Sequence, residues 1–522
     1  MKNSNYSKED LKHFKQRDIK AEQIDRQWEN LKKGMTFVAL SEPATVGNGI
    51  TRIEAEAEEC LLTQYEKARQ TCDLVKMIPA SGSATRMFKD LFTFSDTYKG
   101  TEEEFLALVQ QRGPSTMFNF FTRLSEMPFY DHLTAVMWKE GKDIQKMIAK
   151  REYLEVLPYI LGKKGLNYGN TPKGLVDFHI YRDFVRTAFD EHLVEGALYC
   201  NNGKKAPLHF TVSEEYLSSF KNRLKKVSKV FEKMFQVKYD VTFSIQKPAT
   251  DTVSLDATGE LLRDEEGQIV FRPGGHGALI YNLDELKADL VFIKNIDNVI
   301  PDRAKDDTVK YKKLLAGTLM EVQEKVFSYL HLLDKKPTAE QLTEIDAFMK
   351  RIGYKEAEGK TYKDAKEHIH HLRQLLNRPI RVCGMVKNEG EPGGGPFWVK
   401  AKDGSARLMI VESAQINLQD KEQKKVVDHS THFNPVDLVC GIKNYKGKRF
   451  DLENFIDAEQ GFISQKSYKG KEIKVQELPG LWNGAMANWI TVFIEEPLTT
   501  FTPVKTVFDL FRVEHRNVLK NE

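Results

Sequence analysis

The chain has 522 residues, 41% of them hydrophobic, and a formal net charge of +3. This near balance of charge argues against a general affinity for nucleic acid. The sequence has neither the apolar region of a signal peptide nor a run of about 18 apolar residues that would span a membrane. Its five cysteines are scattered without a CxxC pair, which argues against a disulfide framework or a structural zinc site. We therefore expect a cytoplasmic protein with several structural units, or one large α/β domain with insertions.

The first part of the chain changes character near residue 70. Residues 1–70 are charged and carry apolar residues at helical spacing, which predicts an N-terminal helical segment. Residues 73–79 are a short apolar run before a loop of small residues, and this pattern predicts a strand, a tight loop and a helix. Further strands are predicted at 208–212 and 241–246, with an amphipathic helix at 214–235 between them.

The second half of the chain continues this alternation. An apolar strand is predicted at 289–296, and it ends at Asp297. Strands at 380–386 and 407–411 follow, and a last helix is predicted near 507–511. The later residues have a mixed pattern of strands and turns.

Two helical stretches, 105–161 and 309–351, interrupt the pattern of strands and helices. The alternation itself predicts a mainly parallel sheet that is covered on both faces. In such sheets, ligands bind beyond the carboxyl ends of the strands. The loop 80–85 and Asp297 both lie at predicted strand ends, so a ligand site is predicted there.

Residues 80–86 have the sequence ASGSATR. Small residues allow backbone N–H groups to approach a phosphate, and a helix N-terminus favours negative charge. Arg86 would lie in the first turn, where its guanidinium could fork onto phosphate oxygens. The alternative is an ordinary turn between a strand and a helix, because the segment lacks the spacing of a Walker loop or of GxGxxG.

Three other segments carry groups suited to a phosphorylated ligand. Lys173 stands between a proline and a glycine, where its ammonium could reach a phosphate or simply be solvated. Residues 273–277 (PGGHG) surround His276 with glycines, which indicates a close backbone approach to a ligand or a glycine-rich hairpin. Asp297 offers a hard oxygen ligand for a phosphate-bridging Mg²⁺, or else caps the next turn.

Taken in order, these motifs resemble those of the eukaryotic-type UDP-sugar pyrophosphorylases, above all the UDP-N-acetylhexosamine pyrophosphorylase branch. The matching segments run from residue 80 to residue 505 and are short: 80–87 for AGGxGTRL, 172–174 for PKG, 243–248 for FxQ with a following proline, 273–277 for PGGxG, 295–298 for NVDN, 411–413 for VEYSE, 433–434 for FNAGN, and 501–505 for FSPLK. No single match is specific, and the order of all eight carries the resemblance.

The resemblance implies an α/β fold with a glycosyltransferase-A-like, Rossmann-type core, whose sheet is mixed and mainly parallel. It would carry large helical insertions near residues 96–170 and 302–379. A helical segment at 1–70, a nucleotidyltransferase core at 71–440 and a small C-terminal α+β domain at 441–522 are expected. The sequence indicates a divergent branch, since a long insertion separates the first loop from Lys173.

The implied reaction joins UTP and a sugar 1-phosphate to give a UDP-sugar and pyrophosphate, with Mg²⁺ as cofactor and no nucleic acid or membrane as partner. The catalytic residues that the resemblance implies are Arg86 and Lys173, and the metal ligand is Asp297. The implied nucleotide contacts are Ala80, Ser81, Gly82, Ser83, Gln246, Gly274 and Gly275. The implied contacts to the sugar phosphate are His276, Glu412, Asn434 and Lys505.

Two positions depart from the family pattern, because Ser81 and Ala84 stand where it has glycines. A side chain at these positions bears on how closely the backbone can approach a phosphate. One alternative is therefore a non-catalytic protein that binds a nucleotide or a nucleotide sugar. The other is a glycosyltransferase on the same fold, although those enzymes usually carry a DxD metal motif and this chain has Asn295, Ile296 and Asp297.

Overall fold

The protein has a mixed α/β fold, described by a computed structural model for residues 6–391 and 393–516. Among these residues, no helix combines the length and the apolar composition that a membrane crossing requires. The α-helices are α1 (Lys8–Gln16), α2 (Ala21–Lys33), α3 (Ala55–Ala68), α4 (Lys89–Thr97), α5 (Glu102–Gln110), α6 (Met117–Thr122), α7 (Tyr130–Lys139), α8 (Ile144–Ala149), α9 (Tyr153–Leu161), α10 (Ala188–Tyr199), α11 (Leu217–Phe235), α12 (Ile280–Asp284), α13 (Asp306–Leu333), α14 (Ala339–Arg351), α15 (Ala365–Leu376) and α16 (Lys421–Asp428).

The strands are short and spread over the whole described chain. In chain order they are β1 (Leu40–Pro43), β2 (Thr45–Val46), β3 (Gly49–Thr51), β4 (Leu74–Pro79), β5 (Asp177–Ile180), β6 (Val185–Thr187), β7 (Lys205–Val212), β8 (Lys238–Ile245), β9 (Thr252–Leu255), β10 (Phe271–Arg272), β11 (Leu290–Lys294), β12 (Tyr354–Lys355), β13 (Ile380–Lys387), β14 (Gly395–Lys400), β15 (Ala406–Val411), β16 (His432–Phe433), β17 (Asp437–Gly441), β18 (Phe462–Tyr468), β19 (Lys471–Glu477) and β20 (Ile490–Glu495).

The chain divides into two compact units, each assembled from separate segments. Unit 1 comprises the described residues of Met1–Met77, Ser244–Ile293 and Tyr311–Pro497. Unit 2 comprises those of Ile78–Phe243, Lys294–Lys310 and Leu498–Glu522.

Unit 1 contains a large mixed sheet with the strand order β2-β3-β20-β13-β17-β11-β4. The pairs β11–β4, β20–β13 and β20–β3 are parallel, whereas β13–β17 is antiparallel. Parallel strands that are buried on both faces have continuous runs of apolar residues in their sequence. β11 (LVFIK) is such a strand, because it is buried along its whole length. Two four-stranded sheets, β1-β14-β15-β12 and β10-β9-β19-β18, belong to the same unit.

Unit 2 is mainly helical and contains the strand pairs β7-β8 and β5-β6. Its core is rich in aromatic side chains, among which Phe121 and Tyr153 are stacked with ring centroids 4.2 Å apart. The predicted helical segment 96–170 is built of α5 to α9. The segment 302–379 is also helical, apart from β12, and the helix predicted at 507–511 is a 3-10 helix.

The unit limits do not coincide with the domain limits predicted at residues 70 and 440. β20 lies beyond residue 440, yet it pairs with β13 from Ile380 opposite Ile490 onward. The N-terminal helix α2 packs in one apolar cluster with β9. Such pairings join residues far apart in sequence, so hydrophobic periodicity, which is a local signal, does not reveal them.

Candidate functional site

The loop 80–86 follows β4 and is anchored in unit 2 through its backbone. Ala80 N donates to Thr211 O at 2.8 Å, and Ala84 N donates to Thr171 O at 2.9 Å. Ser81 O accepts a hydrogen bond from Ser213 Oγ at 2.8 Å. These bonds hold the loop in one place, and residues 84–86 then form a 3-10 helix rather than the first turn of a long α-helix.

Gly82 and Ala84 have opposite surroundings within this loop. Gly82 is exposed, its φ is not positive, and a Cβ built on it would meet no atom within 4 Å. Neither packing nor backbone conformation therefore requires a glycine at this position. Ala84 is fully buried in the apolar core of unit 2, so its methyl group packs inward. Arg86 is exposed at the end of the 3-10 helix.

The segment that carries Lys173 pairs directly with this loop. Pro172 forms an antiparallel bridge with Ser83, and Lys173 N donates to Gly82 O at 3.1 Å. Gly174 is buried, and a Cβ there would lie 3.0 Å from the Phe220 ring, so the glycine permits close packing. The long helical segment between loop and lysine thus begins and ends at neighbouring backbone positions.

Asp297 follows β11 and faces Lys173. Lys173 Nζ donates to Asp297 Oδ2 at 2.5 Å, with the two side chains 16% and 21% exposed. Asp297 O accepts from Val504 N at 3.1 Å, and Asn298 forms an antiparallel bridge with Pro503. These contacts bring the C-terminal segment to the ion pair.

Lys505 lies on that C-terminal segment, and its side chain is exposed. Two residues further, Val507 N donates to Met87 O at 2.9 Å, which returns the segment to the end of the first loop. Four stretches of unit 2 therefore meet in a closed ring, in which the Lys173–Asp297 ion pair makes one link and backbone contacts make the other three. We call them the charged cluster: 80–87, 172–174, 297–298 and 503–507.

The charged cluster offers one carboxylate, Asp297, for a metal ion. Within residues 6–391 and 393–516, no group of three or more His, Cys, Asp or Glu side chains is arranged to hold one. Mg²⁺ is commonly bound through one or two carboxylates together with substrate phosphates and water. A single aspartate beside an open loop fits that ion and does not fit a structural zinc site.

Unit 1 brings together the glycines at 273–277 and the segment after β8. A Cβ on Gly274 would lie 2.4 Å from Thr250 O, and Gly275 has a φ of +70°. Both positions therefore require glycine, the first for close packing and the second for its backbone conformation. The buried amide nitrogen Nε2 of Gln246 has no hydrogen-bond partner within the described residues, which is rare for a buried donor.

His276 is held by contacts on three sides. Its ring stacks on Trp482 at a centroid distance of 4.3 Å. Nδ1 accepts a hydrogen bond from Leu481 N at 3.2 Å, so Nε2 carries the ring proton and points to Glu412 Oε1 at 3.5 Å. Asn483 Nδ2 donates to the same carboxylate oxygen at 2.6 Å. We call Gln246, Gly274, Gly275, His276, Glu412, Trp482 and Asn483 the glycine cluster.

The neighbours of Glu412 change the pKa of its carboxyl group. Burial by itself raises its pKa, but the hydrogen bonds and charge of His276 and the bond from Asn483 outweigh burial and lower the pKa below its ordinary value. Glu412 is therefore an ionised acceptor at neutral pH.

Asn434, predicted as a sugar contact, is buried and its amide is already engaged. Nδ2 donates to Gly384 O at 2.9 Å, and Oδ1 accepts from Val436 N at 3.1 Å. Val436 has a φ of +60°, which a β-branched residue adopts only under strain. The Asn434 side chain therefore stabilises a local turn of the chain.

Trp482 and Asn483 were not singled out from the sequence. They stand in the segment LPGLWNG, in which Pro-Gly and Asn-Gly are turn signals. These signals predict a loop, and a tryptophan inside such a loop is the clue that could have marked it. Its contact with His276 joins residues more than 200 positions apart, and one sequence does not show that pairing.

Solved structures similar to the chain include the uridine diphosphate N-acetylglucosamine pyrophosphorylase from Trypanosoma brucei. The identity is 14% and the TM-score 0.45, with 94% of this chain and 74% of that chain covered. The UDP-glucose pyrophosphorylase from Leishmania major is similar at 13% identity and a TM-score of 0.42, with 96% and 77% covered.

No curated protein matches the chain. A family model does match, over residues 7–516, which is well over half of the chain. The chain belongs to the family described as "Domain of unknown function (DUF4301)".

Proposed function

We propose that this protein is a Mg²⁺-dependent nucleotidyltransferase that joins UTP and a sugar 1-phosphate into a UDP-sugar and releases pyrophosphate. The observation that carries the proposal is the Lys173–Asp297 ion pair of 2.5 Å beside the open backbone at Gly82. A lysine, a carboxylate that could hold Mg²⁺ and an open loop beside them are groups that phosphoryl transfer uses. The resemblance of the motifs to UDP-sugar pyrophosphorylases, and with it a glycosyltransferase-A-like core, is part of the same proposal.

The reaction proposed is an in-line displacement. An oxygen of the sugar 1-phosphate attacks the α-phosphorus of UTP, the bond from that phosphorus to the β-bridging oxygen breaks, and pyrophosphate leaves with the electron pair. The protein supplies positioning and charge neutralisation rather than a covalent intermediate. In this scheme Lys173 and Arg86 hold the phosphate oxygens as negative charge shifts toward the leaving group.

In this proposal, the backbone, the carboxylate and the cationic side chains of the charged cluster have different roles. The backbone at Ala80, Ser81, Gly82 and Ser83 would receive the triphosphate, and the inward packing of Ala84 leaves this approach open. Asp297 would hold Mg²⁺, which supplies charge neutralisation when bound. Lys173, whose ammonium bonds Asp297 in this structure, would neutralise charge on the phosphates. Lys505 would contact the sugar phosphate.

The glycine cluster would recognise the base and the sugar. The unpartnered Nε2 of Gln246 is a donor suited to a uracil carbonyl. The backbone at Gly274 and Gly275 would approach the base closely. His276 and Glu412 offer a donor and an ionised acceptor for sugar hydroxyl groups. Asn434 is proposed as a sugar contact by the resemblance, although its amide serves a turn in this structure.

The test is pyrophosphate release by the purified protein with Mg²⁺, with four nucleoside triphosphates crossed against a panel of sugar 1-phosphates. Asp297→Asn serves as the blank. Release with UTP and one sugar, lost in the variant, is the expected result. Sugar transfer from a UDP-sugar without pyrophosphate turnover would instead make the protein a glycosyltransferase. UTP binding without any turnover would make it a nucleotide-binding protein.

A further inference from the structure

A groove of about 500 Å³ in unit 1 is lined mainly by polar side chains, from the end of α15 and from two loops, together with Phe455. Arg378, Asn377 and His370 line one side, and Asn454 and Asn488 lie on the loops. No Asp or Glu belongs to the lining. This volume lies in the range of small-molecule sites. We call it the arginine groove.

Two arginines at this groove lack a carboxylate partner. Arg378 lines it, and Arg407 of β15 donates through Nη1 to Oδ1 of the lining residue Asn488 at 2.7 Å. Neither guanidinium forms an ion pair with any residue in 6–391 or 393–516. Arg378 Nε donates to Gln374 O at 2.8 Å, which occupies one of its five donors.

Two like charges that lack an ion-pair partner are unfavourable in the free protein. Burial, and then repulsion from Arg407, lower the pKa of Arg378 to about 10. Burial also lowers the pKa of Arg407, and Asp457 and Asp403 offset this only from beyond ion-pair distance. Both aspartates are occupied, Asp457 by Gln460 and Asp403 by Ser405. A buried charge without a partner is destabilising, and guanidinium groups are well suited to bind phosphate oxygens.

Two buried polar atoms without partners belong to Arg407, which bonds the lining residue Asn488, and to the lining residue Asn377. They are Nε of Arg407, a donor, and Oδ1 of Asn377, an acceptor. Buried polar atoms are nearly always hydrogen-bonded, so each is expected to have a partner in another state of the molecule. An oxyanion would satisfy the donor, and a hydroxyl group of the same ligand would satisfy the acceptor.

We propose that the arginine groove is a binding site for the phosphoryl group of a small hydroxylated molecule, held by Arg378 and Arg407. Two guanidinium forks match the several oxygens of a phosphate better than the two of a carboxylate. Every residue named for this site lies outside the charged cluster and the glycine cluster, so the site is separate from the proposed nucleotidyltransferase chemistry.

The test is calorimetric titration of the full chain with inorganic phosphate and sulfate, at ionic strength matched with chloride. We expect saturable binding that Arg378→Gln and Arg407→Gln each weaken by about 10-fold or more. Arg112→Gln, at an exposed arginine outside the groove, is the matched control and should leave binding unchanged. Lys173→Ala separates this site from the charged cluster, because binding in the groove should persist in that variant.

A charge-reversal variant tests whether a loss of phosphate binding is caused by misfolding. Arg378→Glu should pair with Arg407, raise the melting temperature without anion, and abolish the stabilisation by phosphate. The proposal is overturned if phosphate binds no better than chloride. It is also overturned if Lys173→Ala removes phosphate binding while Arg378→Gln and Arg407→Gln retain it.

Discussion

The charged cluster and the glycine cluster solve different recognition problems by different means. In the charged cluster, backbone bonds fix four segments, while side chains such as Arg86 and Lys505 extend into solvent. In the glycine cluster, side chains fix one another, as His276 does with Trp482 and Glu412. A phosphate chain needs charges that can move with it, whereas a base and a sugar need a surface of defined shape. Substitutions in the charged cluster should therefore lower activity with little loss of stability. Substitutions in the glycine cluster should lower both activity and stability.

The largest effect is expected at Lys173. Lys173→Ala should lower the rate of pyrophosphate release by about 10²–10³-fold, since one charged donor to the transition state is lost. The ion pair with Asp297 is partly exposed, so the melting temperature should change little. Steady-state kinetics and thermal denaturation measure the two quantities, with Lys204→Ala, at an exposed lysine, as the control. Normal activity in Lys173→Ala would rule out the proposed chemistry.

Gly274→Ala, unlike Lys173→Ala, should lower the stability of the fold as well as the affinity for UTP. The new Cβ would lie 2.4 Å from Thr250 O, so the backbone must shift, at a cost of about 1–3 kcal/mol in the free energy of unfolding. UTP affinity should fall with it, because the displaced backbone is the surface proposed to face the base. Urea denaturation and UTP titration are the measurements. An unchanged unfolding midpoint would show that the glycine cluster is less tightly packed than described.

Glu412→Gln should give a pH-dependent change in stability of about 1 kcal/mol. The pKa of Glu412 is lowered in the folded state. At every pH above its ordinary pKa of 4.5, ionised Glu412 therefore stabilises the fold. This contribution disappears as the pH falls through the lowered pKa. The difference in unfolding free energy between wild type and variant should be present at pH 7 and absent in strong acid. A constant difference across that range would contradict the assignment.

The smallest structural effect is expected for Gly82→Ala. A Cβ there meets no protein atom within 4 Å, so the free energy of unfolding should stay within about 0.5 kcal/mol of wild type. The affinity for UTP should nevertheless fall, because the methyl group would occupy the space proposed for a phosphate. Paired with Gly274→Ala, this variant separates a glycine required by the fold from one required by a ligand. Unchanged UTP binding in Gly82→Ala would remove the loop from the proposed site.

Much of the local structure could be predicted from the sequence. The apolar run at 73–79 and the periodic pattern at 214–235 correspond to β4 and α11, because period and composition decide such elements. The two helical segments were also correctly predicted as helical. The division into units could not be predicted, because it depends on pairings such as that of β20 with β13.

The candidate site was accessible only through the order of its motifs. The sequence marks Lys173 and Asp297 separately, but nothing in one sequence shows that their side chains meet at 2.5 Å. It also gave no reason to expect Ala84 to face inward, since burial follows from tertiary packing. The partners of His276 were missed for the same reason: Trp482 and Asn483 are defined as contacts by the fold alone.

The ring of contacts in the charged cluster has a consequence for the time at which this site can exist. Its first segment contains Met87 and its last contains Val507, and the bond between them closes the ring. During synthesis the chain grows from the N-terminus, and early segments fold before later ones are available. Contacts of such long sequence separation also form slowly. The loop, the lysine and the aspartate are therefore synthesised well before the C-terminal segment, and the ring around them can close only after Val507 has been made.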